Sequence, residues 1–206
     1  EAANDNPGEL VRREAMAALY PGHRYGVPVS GVPDSVNVLE ASNIRALHAG
    51  FFVPANAILS VSGDVNPKSV LAELSGNFKA WDSAAKGPLA GATTPPPPTP
   101  TPARRRIVIA DKPDLNQARI ILGHEGIARD DPRRLTASVL NATFGGSGFS
   151  SRLMKKLRSQ AGLTYGVRSG FAMRAQPGPF SISTFTRVAE TRRAVDMLLE
   201  ELTALR

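Results

Sequence analysis

The chain has 206 residues, of which 42% are hydrophobic and 21% charged, so it can bury a core and wholesale disorder is excluded. Cysteine is absent, which excludes a disulfide framework, a thiolate nucleophile and a zinc ribbon. No apolar run is long enough to predict a membrane span. The first residue is Glu1, without a Met or a signal-like segment, which predicts a fragment or a processed form.

Lys and Arg number 25 against 18 Asp and Glu, a net charge of +7 that raises the possibility of nucleic-acid binding. The basic residues Arg152, Lys155, Lys156 and Arg158 form one of the densest clusters. None of the three Tyr residues and the single Trp interleaves with the basic clusters as a base-stacking platform requires, and no zinc-finger or RNP-like motif is present. We therefore expect solvated basic faces and no nucleic-acid partner.

The first part of the chain predicts helices over 9–20, from the cap Ser42, and from Asn66-Pro67, where a capping residue precedes a proline. The β-rich run AILSVS at 57–62 predicts a strand. A proline-rich run, GPLAGATTPPPPTPTP, follows at 87–102 and favours an extended, semi-rigid linker. We thus expect a first domain portion over 1–86 and a second over 103–206.

The second part predicts strands over 106–110 and 117–124, and then two helices, the second over about 150–159. A hairpin over 165–186 and a last helix over 188–205 follow. The order β-β-α-α-β-β-α indicates an α+β fold, in which an antiparallel sheet is backed by helices in each domain portion.

Two sets of residues in the sequence could carry chemistry. The histidines His23, His48 and His124 are far apart and match no zinc-binding motif, which favours structural or surface roles. The glycine-rich stretch FGGSGFSS at 144–151 precedes a helix but fits neither a P-loop nor a nucleophile elbow. Its glycines favour a tight turn with close packing, and the alternative is a loop that contacts substrate through Gly145, Gly146 and Ser147.

The stretch FGGSGFSSRLMKKLRSQAGLTYGVRSGF at 144–171 resembles the second-domain segment of the pitrilysin/insulinase zinc peptidases, a family that includes the mitochondrial processing peptidases. The segments LYPGHRYGVPVSGVPDSV and FFVPANAILSVSGDV, in the first part of the chain, resemble the end of the family's first domain. The resemblance therefore spans most of the chain in the family's order. It implies the inverse-zincin fold, with two similar domain portions.

The resemblance implies that Arg158 and Tyr165 are the Arg/Tyr pair of the second domain, which holds the scissile carbonyl and stabilises its oxyanion while zinc-bound water attacks. The spacing fits this role, because a turn at Gly162 brings the end of a helix beside the start of a strand. The family's H-x-x-E-H zinc motif is absent from the chain. We therefore expect no metal ligand and no bound zinc here, and an inactive fragment when it is alone.

The resulting hypothesis is the substrate-binding portion of a zinc endopeptidase that cleaves peptides or processes proteins. Its substrate would be a peptide or an unfolded protein, and zinc would come from the missing region or from a partner subunit. The alternative is a non-catalytic chamber or core subunit of the same family. The lack of Cys and the Ala-, Arg- and Pro-rich composition suggest a bacterial periplasmic or cytoplasmic setting.

Overall fold

A computed structural model describes residues 6–81 and 105–205 of the chain. The described residues form two compact units, one made of 6–29 with 105–205 and the other of 30–81. The first unit thus combines residues from both sides of the proline-rich run at 87–102, which itself lies outside the described residues. The domain limits at 86 and 103 remain a prediction about the organisation of the polypeptide.

The second unit, residues 30–81, contains three helices: α2 (Pro33–Val36), α3 (Ala41–Phe51) and α4 (Pro67–Asn77). Helix α4 begins as the sequence predicts, because the Asn66 side chain accepts hydrogen bonds from the backbone N–H groups of Lys68 and Ser69. The prediction of a strand over 57–62 is wrong. A β-rich run becomes a strand only when a neighbour completes its ladder, and no described residue pairs with it.

In the first unit, helix α1 (Pro7–Leu19) packs against strand β1 (Gln117–Glu125). Strands β2 (Val167–Phe171) and β3 (Pro179–Arg187) follow, and the antiparallel sheet has the order β1-β3-β2. The predicted hairpin is confirmed, with Val167 opposite Thr184 and Phe171 opposite Phe180. The prediction of a strand over 106–110 is wrong, because that segment pairs with no described strand.

The core of the first unit lies between one face of the sheet and the segments that follow β1. Strand β3 alternates, with Phe180 and Ile182 buried and Ser183 exposed, as expected for a strand covered on one face. Helix α6 (Thr191–Thr203) buries Ala194, Leu198 and Glu201 at helical spacing. The buried core cluster comprises Phe144, Leu153, Met154, Leu157, Val167, Phe180, Ile182 and Leu198. An α+β fold with a helix-backed antiparallel sheet is therefore present.

Helix α5 (Arg134–Asn141) leads into the segment that carries the candidate site. It continues as a wide π-helical turn over Ala142–Gly146, and a second π-helical segment occupies Met154–Gln160. In the second segment the N–H of Ala161 bonds to the carbonyl of Lys156, five residues earlier, at 3.1 Å. Such π-helical segments often occur at functional sites. Among the described residues, no helix combines the length and the apolar character needed to cross a bilayer.

Candidate functional site

Arg158 and Tyr165 lie side by side at the end of the second π-helical segment. Gly162 turns the chain between them in the left-handed conformation, with φ of 62°, which glycine adopts at little cost. The Arg158 Nη1 donates a hydrogen bond of 2.9 Å to the backbone carbonyl of Tyr165. The turn at Gly162 therefore brings these two residues together, as the spacing predicts.

The guanidinium of Arg158 also lies over an aromatic ring that sequence reasoning missed. Its Cζ is 4.5 Å from the ring centroid of Phe149 and 5.8 Å from that of Tyr165. Both rings are largely exposed, at 69% for Phe149 and 78% for Tyr165. An aromatic residue inside a glycine-rich run was the available signal, since such a ring has no local structural role. The three side chains form an exposed cluster, here called the arginine cluster.

The arginine cluster presents hydrogen-bond donors together with apolar surface. One N–H of the guanidinium donates to the Tyr165 carbonyl. The other N–H groups of this planar group are further donors in a fixed plane. Within the described part of the chain, the Tyr165 hydroxyl makes no hydrogen bond to another protein group. The cluster can therefore donate to a carbonyl oxygen while its rings contact an apolar group.

The three loop residues proposed from the sequence, Gly145, Gly146 and Ser147, have different environments. Gly145 is buried, and a Cβ added there would lie 2.4 Å from Ser169 Oγ, so its backbone packs directly on β2. Gly146 is exposed but equally tight, because a Cβ would meet Asn141 Nδ2 at 2.6 Å. Only Ser147 offers an exposed side chain to a ligand. The close packing of the two glycines is evident, and substrate contact by the loop stays a prediction.

The three histidines have separate environments. His23 is buried, and its Nδ1 accepts a 3.0 Å hydrogen bond from the Tyr25 N–H, which places the ring proton on Nε2, 2.9 Å from Gln176 Oε1. His48 stacks on Phe52 with centroids 4.9 Å apart. In residues 6–81 and 105–205, no three His, Asp or Glu side chains converge in a way that could hold a metal ion.

The LYPGHRYG segment is hydrogen-bonded to the turn between β2 and β3. The Tyr20 hydroxyl donates to the Pro177 carbonyl at 3.2 Å, and the N–H of Gln176 donates to the Tyr25 hydroxyl at 3.2 Å. Burial raises the pKa of Tyr20 to about 12, and the nearby Glu125 carboxylate acts in the same direction. This segment therefore anchors the hairpin, a long-range contact that no local pattern predicted.

Comparison with known proteins identifies similar chains along most of the sequence. A sequence model of the family described as peptidase M16 inactive domain matches residues 39–206. An uncharacterized zinc protease of Streptomyces coelicolor is 31% identical over 203 residues, which cover 96% of this chain and 43% of that protein. An uncharacterized zinc protease of Bacillus subtilis is 25% identical over 202 residues, covering 98% of this chain and 47% of the relative.

Solved structures similar to this chain match it over nearly all of its length. A crystal structure of a peptidase M16 inactive domain from Pseudomonas fluorescens matches with a TM-score of 0.79 and 28% identity, covering 98% of this chain and 47% of that one. A protease from Helicobacter pylori matches with a TM-score of 0.81 at 19% identity, covering 96% of this chain and 48% of that one, which shows a shared fold. The chain spans less than half the length of these similar proteins.

Proposed function

Because the chain belongs to the peptidase M16 inactive-domain family, we propose that it is the substrate-binding portion of a zinc-dependent endopeptidase that cleaves peptides or processes proteins. The relatives named as zinc proteases are about twice as long as the part that aligns with this chain. The substrate is a peptide or an unfolded protein, and the zinc-bearing portion is the rest of the polypeptide or a partner subunit.

The observation that carries the proposal is the arginine cluster, with its guanidinium held against the Tyr165 carbonyl. A donor that is already fixed before the substrate binds needs little reorganisation when negative charge develops on a carbonyl oxygen. It can therefore stabilise that charge effectively. The Tyr165 phenol adds a second donor from the neighbouring strand end. Arg158 and Tyr165 thus hold the scissile carbonyl and stabilise the oxyanion, while the exposed Phe149 ring supports the guanidinium.

The described residues do not fit a zinc site, since no suitable set of ligands converges among them. When bound elsewhere in the complete enzyme, zinc would supply a water made nucleophilic at neutral pH. The role of this chain is confined to binding and orienting the peptide, so by itself it has no peptidase activity.

A second candidate function is a non-catalytic chamber or core subunit that binds peptide without contributing to its cleavage. The observation in its favour is the same lack of a converging ligand set among the described residues. In that case Arg158 and Tyr165 would contribute to affinity and leave the turnover of the catalytic partner unchanged.

The deciding experiment measures kcat on a neutral peptide, with the chain in its complete zinc-bearing polypeptide or reconstituted with its partner. Arg158→Ala and Tyr165→Phe should each lower kcat about a hundredfold, because losing one oxyanion donor costs roughly 3 kcal/mol. Zinc content and melting temperature should stay unchanged. Arg192→Ala is the matched control, since the Arg192 side chain is 94% exposed and forms an ion pair with Asp196 of its own helix. Near-normal kcat in both variants would overturn the proposed role.

A further inference from the structure

An open cleft of about 530 Å³ lies between the glycine-rich loop and the second π-helical segment. Its volume is in the range of about 300–1,000 Å³ typical of ligand sites. The cleft is lined by Ala142, Thr143, Ser147, Ser150, Arg152, Lys155, Lys156 and Gln160. Lys155 is exposed, as expected for a solvated helix face, and both Lys155 and Lys156 line this cleft.

The charge of the cleft is positive and uncompensated. Arg152 is bonded to Glu201, which is largely buried on helix α6, so these two charges neutralise each other. Among the residues that the structure describes, no Asp or Glu lines the cleft. Within the described ranges, Lys155 and Lys156 form no ion pair with an acidic side chain. Two lysines therefore line the cleft without an acidic partner among the described residues.

Neutral donors lie beside the two lysines. The hydroxyls of Ser147 and Ser150 are 3.1 Å apart, and Ser150 donates to the Ser147 carbonyl at 3.1 Å. With the Ser150 proton engaged in this way, the Ser147 hydroxyl donates either to Ser150 or into the cleft. The Gln160 amide adds N–H donors at the other wall. This set of donors suits an anionic oxygen ligand, because charge-assisted hydrogen bonds to such oxygens are the stronger ones.

The cleft adjoins the arginine cluster through one short turn, Gly148–Ser150. Ser150 lines the cleft, while its neighbour Phe149 lies beneath the Arg158 guanidinium. A peptide held at Arg158 and running toward the Gly148–Ser150 turn would meet the cleft that Lys155 and Lys156 line.

We propose that this cleft binds a carboxylate of the peptide, either an Asp or Glu side chain or the C-terminus, and so sets a preference for acidic peptides. The inference rests on the proposed function, because it assumes that the ligand is a peptide. Lys155 and Lys156 supply the charge, and Ser147 and Gln160 supply directed donors.

The test measures binding to the 206-residue chain by fluorescence anisotropy, without any need for turnover. The probes are labelled peptides that are identical except for Glu or Gln at the internal positions, each with a free or an amidated C-terminus. The double variant Lys155→Gln/Lys156→Gln should weaken binding of the Glu peptide about tenfold, because each exposed ion pair that is lost weakens binding about threefold. Binding of the amidated Gln peptide should stay unchanged. The charge-matched control is Lys68→Gln/Lys79→Gln, which removes two exposed lysines from the second unit.

The two carboxylate sources give different results. A side-chain site responds to the change from Glu to Gln, whereas a C-terminal site responds to amidation. The proposal would be overturned if the double variant weakened binding of the Glu peptide and of the Gln amide peptide equally. It would also be overturned if the charge-matched control weakened binding of the Glu peptide as much as the double variant does. Tighter binding of a random nucleic-acid duplex that depends on the same two lysines would also overturn it. Failure of the proposed function is seen separately, as normal turnover of Arg158→Ala on a neutral peptide.

Discussion

Arg158 is bonded to the backbone of Tyr165 and not to its phenol, with Nη1 2.9 Å from the carbonyl oxygen. The position of the guanidinium is therefore independent of the Tyr165 hydroxyl. Removing that hydroxyl deletes a donor without releasing the arginine, so the two members of the pair can be tested one at a time.

The first prediction concerns the shape of the Arg158 side chain. In the zinc-bearing enzyme, Arg158→Lys should lower kcat more than tenfold, because a compact ammonium cannot bond the Tyr165 carbonyl and substrate with the planar fork of a guanidinium. Arg192→Lys, at an exposed helix position, should behave as the parent. Full activity of Arg158→Lys would mean that charge alone matters and that the fork geometry has no role.

The second prediction concerns Phe149, which we regard as a positioning residue for Arg158. Phe149→Leu should lower kcat about two- to fivefold, because an exposed cation–π contact contributes roughly 0.5–1 kcal/mol. Phe149→Tyr keeps an aromatic face and should restore activity. The measurement is kcat and KM for both variants. A loss of kcat that Phe149→Tyr fails to restore would argue against stacking as the cause.

The third prediction concerns the packing of Gly145 on β2. Gly145→Ala should lower the free energy of unfolding by about 1–3 kcal/mol, because the new Cβ would lie 2.4 Å from Ser169 Oγ and 2.8 Å from Ser169 N. Gly170→Ala is the control, since a Cβ there meets no atom within 4 Å. Denaturant unfolding of both variants checks this. Equal stability of the two would mean that the loop does not pack tightly on the strand.

The fourth prediction concerns alkaline pH and Tyr20. Its pKa is raised from 10.0 to about 12, chiefly by burial, so the unfolded state loses the phenol proton first as pH rises. The resulting stabilisation is fully present below about pH 10 and is lost as pH rises through about 12. Denaturant unfolding across this range should show the decline, and Tyr20→Phe should lack this component. A spectrophotometric titration in which all tyrosines ionise near pH 10 would contradict the prediction.

The fifth prediction concerns metal content. After dialysis, the purified chain should hold less than one zinc per molecule, because no suitable ligand set converges among the described residues. Elemental analysis of the dialysed protein gives the answer directly. One tightly bound zinc per chain that resists a chelator would require a set of ligands that does not converge among the described residues, for example one that includes His23 or His124.

Much of the local structure follows from the sequence. The Asn66-Pro67 start of α4 and the hairpin of β2 and β3 depend on nearby residues, and both form where the patterns predict them. The proximity of Arg158 and Tyr165 is of the same kind, because only seven positions separate them and the chain turns at Gly162 between them. Capping and turn chemistry act over a few residues, so the sequence by itself determines them.

Contacts between distant residues were decided by the tertiary structure. The β-rich runs at 57–62 and 106–110 remain unpaired among the described residues, because a strand requires hydrogen-bond partners from elsewhere in the chain. Tyr20 donates a hydrogen bond to Pro177, which lies far along the sequence. This contact joins the LYPGHRYG segment to the second half of the chain. Local patterns specify the starts of helices and the turns, whereas strand pairing and the packing of distant segments decide which strands form and which distant side chains meet.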